Sequence, residues 1–107
     1  MHRVVITGMG TVNALGHDVP ETLEAMREGR CGIGDLDFQD VDRLSIKIGG
    51  QVRGFEAEGR YNRQQMSLYD RFTQFTLASA KEAIEQSGLT FSGDLAAKSG
   101  VVLGTAG

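Results

Sequence analysis

The chain has 107 residues, which is enough for one small domain with a single hydrophobic core. Its hydrophobic content of 40%, charged content of 23% and net charge of −3 are ordinary for a globular protein and give no sign of a nucleic-acid surface. No apolar run reaches the ~20 residues that span a bilayer, the run that ends at Gly8 is shorter than the apolar region expected of a secretory signal, and Cys31 is the single cysteine. We therefore expect a cytoplasmic protein with no cofactor or metal and no nucleic-acid or membrane partner.

A short β-branched run at residues 4–6 opens the chain and predicts a strand that is buried on both faces. The first helix is expected to begin at Asp18, because Asp18 and Glu21 have the spacing of a capping box. It is expected to end before Gly29, a residue type typical of helix C-termini. Its predicted apolar stripe consists of Val19, Leu23 and Met26.

The middle of the chain combines a loop, a strand and a short helix. Residues 30–45 show weak periodicity and are predicted to form a loop. Residues 46–53 alternate between apolar and polar side chains, which indicates a half-exposed antiparallel strand. A short helix is expected to begin at Asn62, since Asn62 and Gln65 have capping-box spacing.

A longer helix is predicted from Asp70 to about Ser87, followed by Gly88. Residues 90–98 are expected to connect it to a last buried strand, residues 99–104. The helix's predicted apolar stripe consists of Phe72, Phe75, Ser79, Ala83 and Ile84. The order of strand, helix, strand, two helices and strand indicates an α/β fold.

The glycine-spaced turn after the first strand admits two interpretations. Gly8 and Gly10 fit the first two glycines of the dinucleotide-binding pattern G-x-G-x-x-G, but Asn13 stands where the third is required. No acidic residue ends a second strand, where a ribose contact would need it. We therefore favour a structural role for these glycines in a tight turn with close helix–strand packing, and keep dinucleotide binding as the weaker alternative.

Other chemically suggestive residues favour structural roles. Cys31 is not near a histidine in sequence, which favours a packing role over that of a nucleophile. His17 beside Asp18 is interpreted as a solvated turn pair instead of a catalytic dyad. Four arginines interspersed with acids predict a mixed solvated face more than a cationic patch; they are Arg53, Arg60, Arg63 and Arg71.

Several segments, taken together and in order, resemble the N-terminal part of the β-ketoacyl-acyl-carrier-protein synthases. These are the elongating condensing enzymes of the thiolase fold. The most specific segment is Asp70-Arg-Phe-Thr-Gln-Phe75 followed by residues 78–88. The others are residues 3–10 with Leu15-Gly16, then Gly32-Ile33, residues 48–52 and residues 100–104.

This resemblance implies that residues 1–107 form part of the N-terminal half of a thiolase-like α/β domain, with a mixed sheet packed against helices. It implies a parent enzyme that condenses an acyl thioester with malonyl carrier by decarboxylative Claisen condensation. The family's catalytic cysteine and two histidines are expected beyond residue 107, so no catalytic residue is assigned here and the chain alone is expected to be inactive. In the family, the segment after the last strand lines the acyl pocket near the dimer interface, which makes Gly107 a candidate pocket residue.

The resemblance also implies an acyl carrier protein as partner, and a homodimer or a ketosynthase heterodimer. Family members often carry basic residues on the short helix before the Asp-Arg-Phe segment, where the acidic carrier docks. Here Gln64, Ser67 and Leu68 occupy those places, and Arg63 alone is basic. This departure keeps open an alternative function as a non-catalytic partner subunit or interaction module of a ketosynthase.

Overall fold

The computed structural model describes residues 1–106, and Gly107 lies outside the described residues. Two short strands, β1 (Ile33–Asp35) and β2 (Ile48–Gly50), pair antiparallel, with Ile33 opposite Gly50 and Asp35 opposite Ile48. In chain order, the elements are α1 (Val19–Arg27), β1 (Ile33–Asp35), a 3₁₀ turn (Val41–Arg43), β2 (Ile48–Gly50), α2 (Arg63–Leu68), α3 (Arg71–Ser87) and α4 (Gly93–Ala97). This mixture of helices and strands agrees with the α/β class at a coarse level.

The helix ends lie where the sequence places them. The Asp18 carboxylate accepts the N–H of Glu21 at 2.8 Å and begins α1. Asn62 and Gln65 cap α2 reciprocally, at 2.8 and 2.9 Å. At the end of α3, Gly88 has a φ of +67°, a conformation that costs glycine little. The three predicted helices are therefore confirmed. One detail differs, since the Glu21 carboxylate accepts the N–H of His17 instead of that of Asp18.

The predicted apolar stripes on α1 and α3 are wrong in part. Ala25 is the fully buried residue of α1, while Leu23 and Met26 are 46% and 62% exposed. On α3, Phe72 and Ile84 are 54% and 45% exposed. Periodicity identifies the apolar residues of a helix, but their burial depends on a neighbouring surface. Residues 1–106 provide no surface that covers these side chains.

The core centres on Phe55, which is 6% exposed and precedes α2. Its ring packs edge-on against Phe75 of α3 at 5.1 Å and against His17 at 5.7 Å, measured between ring centroids. The guanidinium groups of Arg60 and Arg71 lie 5.0 and 5.6 Å from the Phe55 ring centroid. Aromatic pairs and cation–π contacts at these separations are stabilising. They connect the turn before α1 and the segment before α2 to α3.

The two predicted buried strands are not formed within the described residues. Val4, Val5 and Ile6 are 93%, 70% and 84% exposed. Val101, Val102 and Leu103 are 92%, 101% and 63% exposed. A strand requires a hydrogen-bonded neighbour, and the sheet of residues 1–106 contains β1 and β2 alone. The mixed sheet expected from the family resemblance is therefore absent from the described part of the chain.

Three further boundaries differ from the sequence prediction. Residues 30–45 contain β1 and the 3₁₀ turn in addition to loop, and residues 90–98 contain α4. The strand predicted over residues 46–53 is limited to Ile48–Gly50. At the other end of the hairpin, Leu36 donates its N–H to the Lys47 carbonyl at 2.8 Å, and the Gln51 side-chain amide binds the backbone of Asp37 at 2.7 and 3.0 Å.

The glycine turn packs directly on α3, which confirms the predicted close contact. A Cβ atom added at Gly8 would overlap the carbonyl oxygen of Ala83, and one added at Gly10 would overlap that of Ser79. The absence of side chains at positions 8 and 10 therefore permits this segment to lie against the helix backbone.

Glu82 of α3 fixes this arrangement by binding two separate segments. One carboxylate oxygen accepts the N–H of Thr11 at 3.0 Å, and the other accepts the N–H of Val19 at 2.9 Å. Val19 is the first residue of α1, where amide groups have no partner inside the helix. A negative charge at this helix end is also favourable. Glu82 thus holds the glycine turn and the start of α1 on α3.

We expect Glu82→Gln to lower the stability of the chain by about 1–3 kcal/mol. The amide nitrogen that replaces one oxygen cannot accept either N–H, so one backbone amide loses its partner. Urea unfolding followed by far-ultraviolet circular dichroism measures the change. Glu85→Gln is the matched control, because Glu85 is 67% exposed and pairs only loosely with Lys81 at 3.8 Å. Equal midpoints for both variants would contradict the role of Glu82.

The exposed apolar side chains predict that the isolated chain binds a hydrophobic dye such as anilinonaphthalene sulfonate. Within residues 1–106 the buried hydrophobic residues are Ala25, Phe55 and Ala57, whereas large side chains at both ends of this range are open to solvent. A fluorescence titration measures dye binding. No binding, together with a sharp two-state melt, would show that these side chains are covered in solution.

Candidate functional site

The amide groups of the glycine turn bind protein acceptors. Met9 donates its N–H to the Gln86 side chain at 2.6 Å, and Thr11 donates to Glu82. Phosphate binding at such a turn depends on backbone N–H groups that point at the ligand. Here α3 already supplies the acceptors for these two amides, so the geometry of the turn gives no support to the dinucleotide-binding alternative.

Asn13, which stands in place of the third fingerprint glycine, builds the turn itself. Its Oδ1 accepts the N–H groups of Leu15 and Gly16, at 2.8 and 3.2 Å. Its Nδ2 donates to the hydroxyls of Thr11 and Thr22, both at 3.0 Å. Asparagine is common in turns because it forms such local bonds. Asn13 therefore has a structural role that a glycine could not perform.

Among residues 1–106, the structure does not bring a cysteine, a histidine and a carboxylate together. Cys31 is exposed, and its Sγ lies 3.4 Å from the backbone nitrogen of Ile33. The His17 ring nitrogen Nε2 lies 2.6 Å from the carbonyl oxygen of Arg53, while Asp18 caps α1. Asp18 has the capping role expected at the start of α1, but the predicted His17–Asp18 pair is wrong, because His17 contacts the Arg53 carbonyl and the Phe55 ring instead. The packing role expected for Cys31 is also wrong, because its side chain is exposed.

The four candidate arginines separate into different environments. The Arg53 guanidinium donates to the carbonyl oxygens of Asp35 and Gln51 beside the hairpin. Arg60 and Arg71 are brought together over Phe55. Arg63 lies exposed on α2. Within residues 1–106 none of these four arginines forms an ion pair. The structure therefore supports dispersed cations, except that Arg60 and Arg71 lie together on the Phe55 ring, which the sequence did not reveal.

The face of α2 that solvent contacts carries a single positive charge. Arg63, Gln64, Ser67 and Leu68 are all exposed, and Leu68 is 71% exposed. The three residues that replace basic side chains therefore lie on the accessible surface of the helix, where a partner would meet them. The other candidate from the sequence, Gly107, lies outside the described residues.

The described residues contain neither a metal-binding cluster nor a membrane-spanning helix. Among residues 1–106, no three histidine, cysteine, aspartate or glutamate side chains lie together as metal ligands would. Within the same residues, no helix has the length and hydropathy needed to cross a membrane.

Comparison with known proteins identifies the family. Residues 1–107 match the sequence model described as "Beta-ketoacyl synthase, N-terminal domain". The chain is 33% identical over 103 residues to 3-oxoacyl-[acyl-carrier-protein] synthase 2 of Staphylococcus aureus strain N315, and 33% identical over 103 residues to the protein of the same name from Vibrio cholerae. The alignments cover 96% of this chain and 25% of each relative, so the chain spans about a quarter of their length. The chain therefore belongs to the β-ketoacyl synthase family, and it matches the family's N-terminal domain.

Proposed function

We propose that the protein containing these residues is a β-ketoacyl-acyl-carrier-protein synthase of fatty-acid or related polyketide synthesis. It condenses an acyl thioester with malonyl carrier by decarboxylative Claisen condensation. The observation that carries this proposal is the family match along residues 1–107, together with relatives named 3-oxoacyl-[acyl-carrier-protein] synthase 2. Acyl carrier protein is the proposed partner, the cytoplasm the proposed location, and a homodimer the proposed assembly.

Residues 1–107 are proposed to be part of the N-terminal domain and to support the reaction without performing it. Nucleophilic catalysis by cysteine needs a thiolate activated by a neighbouring base or cation. Cys31 is exposed, and the histidines that share the described chain with it are His2 near the N-terminus and His17, which is bound to the Arg53 carbonyl. We therefore place the catalytic cysteine and histidines outside these residues, and propose that Gly107 borders the acyl pocket.

The purified chain is expected to form no 3-ketoacyl product from acyl carrier and malonyl carrier. The physical reason is that no described residue can both hold an acyl thioester and be activated by a base. Product analysis by mass spectrometry measures this, with the S. aureus 3-oxoacyl-[acyl-carrier-protein] synthase 2 as the positive control. Turnover by the chain alone would overturn the placement of the catalytic residues.

A chimera tests the condensing function itself. Residues 1–107 replace the aligned N-terminal segment of the S. aureus enzyme, and the hybrid is assayed for the same product. We expect a folded hybrid to condense acyl and malonyl groups, since the two segments are proposed to be equivalent. A hybrid that folds, assembles and carries the acyl thioester but forms no ketoacyl product would contradict the proposed function.

The alternative is a non-catalytic partner subunit of a ketosynthase. It is favoured by one observation, the single positive charge on the exposed face of α2, where a docking surface for an acidic carrier would need several. Co-expression with a full-length ketosynthase and size-exclusion chromatography distinguish the two. A stable heterodimer would favour the partner subunit, whereas separate elution favours the condensing enzyme.

A further inference from the structure

A cleft between α2 and α3 combines two cations with two aromatic rings. It has a volume of about 280 Å³ and lies beside the segment that precedes α2. The rings of Tyr61 and Tyr69 meet edge to face, with centroids 5.6 Å apart. Arg60 and Lys81 supply positive charge, and Gln65 supplies a side-chain amide. None of the described residues that line this cleft carries a carboxylate.

Most of the donor groups that line this cleft have no strong acceptor within residues 1–106. The Arg60 guanidinium stacks on Phe55, which holds it in place, and forms no ion pair within residues 1–106. Lys81 pairs with Glu85 at 3.8 Å, with side chains 74% and 67% exposed, and such a pair contributes little. The Gln65 side-chain oxygen accepts the N–H of Asn62, which leaves its amide N–H groups free to donate.

The acids nearest to these cations already have partners. Arg60 and Lys81 also border a second cleft, which contains four carboxylates. Three of these carboxylates accept backbone N–H groups, and the fourth pairs with Lys81; they are Asp18, Glu21, Glu82 and Glu85. None of the four forms an ion pair with Arg60, so no acid within residues 1–106 neutralises its charge.

We propose that the tyrosine-lined cleft binds a phosphate ester. Arg60 and Lys81 would bind the phosphate oxygens through charge-assisted hydrogen bonds, which are the strong ones. The faces of Tyr61 and Tyr69 would contact the carbon chain of the ester. The volume suits a phosphate with a short alkyl group. This site is independent of the condensation reaction and goes beyond the proposed function.

The fluorescence of the chain's own tyrosines can report on ligand binding in this cleft. It has two tyrosines and no tryptophan, and both tyrosines line the cleft. Intrinsic tyrosine fluorescence therefore reports on the cleft during a titration with butyl phosphate at constant ionic strength. We expect a saturable change, and no saturable change with butanol. A linear, unsaturable response to butyl phosphate, or an equal response to butanol, would overturn the proposal.

Three variants locate the binding site. Arg60→Gln and Lys81→Gln are each expected to weaken butyl phosphate binding about tenfold, as loss of a charged hydrogen bond does. Arg63→Gln removes the same charge from the neighbouring surface of α2 and is expected to change binding less than about twofold. Equal weakening by all three would show a diffuse electrostatic effect and overturn the site. Lys81 is exposed, so Lys81→Gln decides the outcome should Arg60→Gln fail to fold.

Discussion

The Glu82 carboxylate is the contact on which the arrangement of the N-terminal region depends. Its two oxygens accept one amide from the glycine turn and one from the start of α1, at 3.0 and 2.9 Å. Gly8 and Gly10 let the turn approach α3 closely enough for these bonds to form. Close packing and hydrogen bonding support each other here, because each amide that leaves water needs a new acceptor. The same amides are thereby removed from use as an anion site.

The sequence predicted the local features of the fold well. The caps at Asp18 and Asn62 and the glycine at the end of α3 depend on residues within one helical turn, so sequence spacing determines them. The burial of side chains could not be predicted in the same way. Leu23, Met26 and the run from Val101 to Leu103 are apolar but exposed, because burial and strand formation require a second surface or strand. Residues 1–106 provide neither for these side chains.

The candidate functional residues also divide into those whose role local sequence predicts and those whose contacts only the folded chain shows. The structural role of Asn13 could be anticipated, since it stands three residues before Gly16 in a turn. The stacking of Arg60 and Arg71 on one ring could not, because α2 separates these arginines along the chain. The tyrosine-lined cleft likewise joins residues from the segment before α2 to Lys81 on α3. The family itself was recognised from an ordered series of short segments, and the match over residues 1–107 confirmed it.

Amide hydrogen exchange measured by NMR tests whether Glu82 holds the glycine turn and the start of α1 on α3. We expect the amides of Thr11 and Val19 to exchange slowly, as those inside α3 do, because both donate to Glu82. The amides of Val101 and Val102, in an exposed segment outside the helices and strands, should exchange rapidly in the same sample. Exchange of Thr11 and Val19 as fast as that of Val101 and Val102 would show that Glu82 does not hold these two segments in place.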